Sequence, residues 1–210
     1  NLQTIGLHRT ASEINAKHTT EDRSFGGNVN YKSGNNKLEI GLNGIYTKYS
    51  VDIIPTDRIY NQFDFRGIDN HVAGGYVNYY LKNVHVFGEV AVSKGRGKAF
   101  STGIIASLSS QVQTSIHIRD YDKNFHSYYG ESFGENTKVG NEKGIYWGLR
   151  VLPVRNLVLA TYMDFYSFPW LKYQVDAPSK GRDFMVSANY SATENLEITL
   201  LYRNKTKEMN

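Results

Sequence analysis

Apolar and polar residues alternate with a period of two along most of this chain, and Gly, Asn, Ser and Pro cluster where the alternation breaks. That pattern predicts β-strands separated by turns. The strands fall over 2–8, 24–32, 37–48, 71–82, 84–94, 99–109, 111–120, 144–152, 157–167, 182–191 and 195–204. Pro55, Pro153, Pro169 and Pro178 lie outside these segments or at their ends, as a residue with no ladder N–H must. Thr10 and Glu13 have capping-box spacing, which predicts a single turn in a loop rather than a long helix.

Each strand splits into two unlike faces. The first carries Val86, Val90, Ile116, Trp147, Leu159, Val186 and Ile198 with their alternate neighbours, and it is uncharged along the strand centres. The second is polar and mixed, with Glu39, His85, Glu89, His117, Arg119, Arg150, Asp164, Glu197 and Arg203. Aromatic residues collect near strand ends: Tyr31, Tyr46, Phe165, Tyr190 and Tyr202, with Trp170 and Tyr173 just past the Pro169 stop. In a membrane barrel such rings form an interfacial girdle.

Short turns around 34–36, 82–83, 109–111, 153–156 and 192–195 alternate with longer connections at 9–23, 49–70, 95–98, 121–143 and 168–181. Outer-membrane barrels alternate in this way. Two architectures fit a two-faced sheet. In a sandwich the apolar face packs on a second sheet; in an antiparallel up-and-down transmembrane β-barrel it meets lipid while the polar face lines a lumen. Strand length, the scatter of small residues on the apolar face and the aromatic strand ends favour the barrel. Eleven strands is an odd count and single-chain bacterial barrels are even. The expectation is therefore one β-barrel domain over 1–210 that forms a portion of a larger barrel of twelve or more strands.

Composition adds limits. The 210 residues include 16 Tyr, 19 Gly and no Cys, which excludes disulfides and Cys-based metal or redox centres. A formal charge of +4 is too small to point to nucleic acid. Mean hydropathy is −0.48 and no apolar run is long enough for a membrane-spanning helix, neither of which argues against a barrel.

Candidate chemistry is sparse. His85 and Glu89 share a strand face but stand about 13 Å apart, too far to share a metal. His117 and Arg119, about 7 Å apart, suit ion pairing across the lumen. Ser107, Ser109 and Ser115 with His117 have the residue types of a serine hydrolase, without a strained nucleophile motif. No catalytic residue, metal or cofactor is assigned. Lys94-Gly-Arg96-Gly-Lys98 precedes a strand rather than a helix, so it is a hairpin turn in which Gly supplies positive φ, and its cations suit lipopolysaccharide phosphate. The loop 121–143 mixes Tyr121, Phe125, Tyr128, Tyr129 and Phe133 with charges, and reads equally as a binding surface or a loop folded over the barrel.

The stretches LQTIGLHRTASEI (2–14), SYYGESFGEN (127–136), NEKGIYWGL (141–149) and FPWLKYQVDAPSKGRDF (168–184) resemble a family of large Bacteroidota outer-membrane β-barrels named for a helix-hairpin-helix segment that precedes the barrel. The resemblance implies an outer-membrane location in a Gram-negative bacterium and a longer parent protein. The helix-hairpin-helix segment is not in these residues, so no nucleic-acid partner carries over. Expected partners are outer-membrane lipid and lipopolysaccharide, with other envelope proteins reached through the long loops. Three functions stay open: a non-enzymatic envelope conduit or scaffold, a soluble β-sandwich module recognising glycans or protein through aromatic loops, and a barrel lipid hydrolase or protease.

Overall fold

The computed structural model describes residues 9–11, 14 and 19–208. Ten strands form one antiparallel sheet in strict chain order: β1 (Asp22–Lys32), β2 (Leu38–Ile53), β3 (Gly67–Leu81), β4 (Val84–Ser93), β5 (Lys98–Ser107), β6 (Val112–Tyr121), β7 (Glu142–Val154), β8 (Leu157–Phe168), β9 (Ser179–Thr193) and β10 (Leu196–Lys207). Every strand after the first predicted one is found. The predicted strand 2–8 lies outside the described residues. The Ile14 N–H donates to the Thr10 carbonyl at 2.9 Å.

Register keeps the faces separate. Val86, Ile104, Ile116, Trp147, Met163 and Phe184 are successive cross-strand partners, so one apolar row crosses six strands without a polar interruption. A one-residue slip anywhere would mix the faces, which is why period-two patterning specifies register so strongly. No second sheet covers this row among the described residues, and the sandwich expectation finds no partner layer. Val90, Ile116, Leu159, Val186 and Ile198 are all exposed. Trp147 stands among them and gives its indole N–H to Thr114 Oγ1 at 3.1 Å, so even its polar atom is satisfied within the face. Charge returns to this face near the loop ends of the strands, where it includes the pairs Lys94–Asp69 at 2.6 Å and Lys143–Asp120 at 2.8 Å.

Apart from the small Ala106, the buried apolar residues sit on the other face or in the loops above it. Tyr49, Phe65, Tyr121, Phe125, Tyr166, Phe168 and Val175 lie at the loop end, where the connections 54–66, 122–141 and 169–178 fold back over the polar face. Tyr49, Phe65 and Tyr128 form a ring cluster with centroids 5.7 to 5.8 Å apart, and His126 packs on Phe65. The sheet curls around that face far enough for distant loops to meet: Trp170 Nε1 donates to the Ile59 carbonyl and packs edge-on against Phe63. The edges of β1 and β10 are unpaired among the described residues, and both strands are exposed along their whole length.

One detail differs from expectation, and two more concern the loops. The connection expected as a longer one at 95–98 is a four-residue turn, 94–97, and its positive-φ residue is Arg96 rather than either glycine. Gly97 is there for space, because a Cβ would strike the Asn124 backbone. Within the long connection 54–66, Ile59–Asn61 is a 3₁₀ turn followed by a bend. Trp170 and Tyr173 leave the strand end for loop packing, on Phe63 and Tyr60 respectively.

Candidate functional site

The polar faces of β6, β7 and β8 bring Arg119, Glu142 and Asp164 together. Arg119 is paired in register with Gly144, and a Cβ on Gly144 would collide with the guanidinium. The missing side chain lets Arg119 lie flat across β7. Its Nη1 and Nη2 donate to the two Asp164 oxygens at 2.8 and 2.9 Å, and its Nε donates to Glu142 Oε1 at 2.6 Å. Arg119 is 1% exposed and Glu142 0%. Charges that deep are tolerated only when paired and fully hydrogen-bonded.

Glu142 completes its set from the long loop. The backbone N–H groups of Glu135 and Asn136 donate to the same carboxylate at 2.8 to 3.0 Å. The carboxylate is thus a peg on which the loop 122–141 hangs, turned inward over the polar face. Phe133 lies over the Arg119 guanidinium at 5.3 Å, and its carbonyl accepts from Tyr121 OH. Further ties spread the loop across the sheet. Lys205 and Lys207 of β10 pair with Glu135, Tyr129 donates to Asp22 of β1, and Asn70 Nδ2 donates to the His126 carbonyl at 2.8 Å. Asn141 and Trp170 exchange two hydrogen bonds, which join this loop to 169–178.

Loop electrostatics follow from these contacts. Burial alone would raise the Glu135 carboxyl, but hydrogen bonds from Lys205 and Lys207 outweigh it and hold the group below the usual carboxylate range. Burial lowers the His126 imidazole, with Lys138 adding to the effect and Asp64 opposing it. Burial, with Asp64 nearby, pushes Tyr128 up to about 12.

A ladder of rings lines the polar face beside the network. Tyr80 stacks on His85 at 4.3 Å; His85, Phe87, His117, Phe133, Tyr146 and Tyr162 follow with successive centroids 5.0 to 6.0 Å apart. Five strands and one loop contribute, and the loop residue Phe133 closes the gap between β6 and β7. A cavity of about 480 Å³ opens over the middle of the ladder. His117 also bonds Ser101 Oγ through Nε2 at 2.8 Å, while its buried Nδ1 has no hydrogen-bond partner. The Ser–His contact has the geometry of a nucleophile and base, without the third group that orients such a base.

Of the polar residues expected from sequence, Arg119 and Asp164 meet directly. Arg203 pairs with Asp183, Glu39 lies 3.7 Å from Lys32, and His85 contacts Asn78. Glu89 reaches the cavity, whereas Arg150 and Glu197 are simply exposed. Sequence reading missed Glu142, Asp183, Glu135 and Lys205. Glu142 shares the parity of Tyr146 and Arg150, so carrying the alternation two residues before Gly144 would have placed it on the polar face.

No family model matches the chain, and no curated protein matches it significantly. Among solved structures, the crystal structure of Acinetobacter baumannii OccAB2 aligns with 89% of this chain and 49% of that one, at 11% identity and a TM-score of 0.49. The chain spans about half the length of that protein.

Proposed function

We propose that this chain is the membrane-spanning part of an outer-membrane β-barrel, and that its polar face lines a solute conduit narrowed by the inward-folded loop 122–141. The observation that carries the reading is the inverted burial: Val29 is 77% exposed on one face while Arg119 is 1% exposed on the other. Water would penalise the first arrangement heavily, and lipid removes the penalty. On β4 the apolar row runs from Val84 to Val92, about 26 Å along the strand, comparable with the apolar band of such barrels. The ion pairs Lys94–Asp69 and Lys143–Asp120 then mark the outer boundary, and Lys94, Arg96 and Lys98 meet lipopolysaccharide phosphate there. Ten strands leave β1 and β10 antiparallel, so closure needs either their direct pairing or an even number of further strands between them. A barrel of twelve or more strands is the second case.

The test is conductance across a planar bilayer. The full protein is expected to give stepwise ion currents, and excising 127–139 is expected to enlarge each step. Insertion without current in either form would overturn the conduit and leave an envelope scaffold. The Ser101–His117 contact favours a second reading, a barrel hydrolase. Labelling of Ser101 by a fluorophosphonate, abolished in Ser101→Ala, would support it.

A further inference from the structure

We infer that the conduit holds a binding site for small organic cations, between the ring ladder and the underside of the loop 122–141. This rests on the conduit reading and names its solute class. Three separate observations converge on the cavity of about 480 Å³. Four rings line it, Phe87, His117, Phe133 and Tyr146, with successive centroids 5.0 to 6.0 Å apart, the first pair stacked and the other two contacts edge-on. Aromatic faces attract cations through their quadrupole and also stack flat apolar groups. The charged side chains that line the cavity are Glu89 and Glu131, both exposed and in no ion pair among the described residues. The nearby cation, Arg119, is covered by Phe133 and spent on Glu142 and Asp164, so it neutralises neither. Finally, His117 is 8% exposed, lines the cavity, and leaves Nδ1 without a hydrogen-bond partner. A buried polar atom next to an open volume is a place where a ligand supplies the missing bond.

Charge decides among solute classes. An anion would face two uncompensated carboxylates, and a neutral ring would gain only stacking. A flat cation gains stacking, cation–π attraction and the two carboxylates together. The ladder continues through His85 to Tyr80 near the turn 82–83, which gives such a cation ring contacts along its way to the turn end.

Benzamidinium, benzamide and benzoate have nearly the same size and differ in charge, so they isolate this effect. Binding is measured by equilibrium dialysis against the full protein in lipid vesicles, with protease protection of the same sample reporting insertion. Benzamidinium is expected to bind at least tenfold more tightly than benzamide, with benzoate weakest. The Glu89→Gln, Glu131→Gln double variant should lose the preference for charge, Phe133→Ala should weaken benzamidinium and benzamide alike, and Glu194→Gln, at a distant turn, should change nothing. Equal binding of benzamidinium and benzamide to inserted protein overturns the cation site and leaves the conduit standing, as does a preference that survives the double variant. A chain that does not insert overturns the conduit, and this inference with it.

Discussion

Val29 and Arg119 belong to opposite faces of one sheet, and their surroundings are reversed from those of a water-soluble protein. The valine is 77% exposed and the arginine 1%. On the outer face, side chains have neighbours within the sheet and, among the described residues, nothing beyond it, so single replacements by other apolar residues meet little packing. On the inner face, each group in the Arg119–Glu142–Asp164 network depends on the others and the loop 122–141 depends on all three. The outer face is thus specified by what it excludes, namely charge. The inner face is specified by individual partners.

The sharpest way to break that contrast is to remove one partner inside. Asp164→Ala leaves Arg119 buried with two of its three hydrogen bonds gone, and should cost about 3–5 kcal/mol in urea unfolding from lipid. Glu142→Ala should cost as much and also free the loop, seen as faster proteolysis within 122–141. Charge placed outside comes next: Val90→Arg or Leu159→Arg should destabilise by roughly 2–4 kcal/mol in vesicles, while Val90→Leu should be close to neutral. Gly144→Ala should cost about 1–3 kcal/mol, since Arg119 must shift to admit the methyl group. The smallest effect is acid sensitivity of the loop. Folded His126 holds its proton more weakly than the unfolded chain does, so docking weakens as pH falls through about 6.5. Folded Glu135 sits below its ordinary value, so its contribution is complete above about 4.3 and disappears as pH falls further. Both act in one direction. A fluorophore at Ser127 should report undocking on acidification in two phases, and no change down to pH 4 would contradict it.

The same contrast explains what could be read from the sequence. Strand positions and the two faces were legible, because a period of two repeated over ten strands is a collective signal that no single residue can blur. Arg119 was legible as an inner-face cation in need of an acid. Its partner Glu142 was not, because the alternation was stopped at Gly144, and that glycine is where Arg119 crosses the strand. The inward fold of 122–141 was left open between two readings, since it is fixed by backbone N–H groups of Glu135 and Asn136, which leave no trace in residue type. Trp170 is legible as a ring just past the strand end. Its actual neighbours, Ile59, Phe63 and Asn141, come from two other loops, and no local pattern announces such contacts.

The most direct test uses the absence of native cysteine. Single cysteines placed along β4 at Val86, Gly88, Val90 and Val92, and at His85, Phe87, Glu89 and Ala91, would carry spin labels in lipid vesicles. The account predicts a strict alternation, with the first set accessible to oxygen in the bilayer and the second to a water-soluble nickel complex. Equal access of the nickel complex to both sets would contradict it.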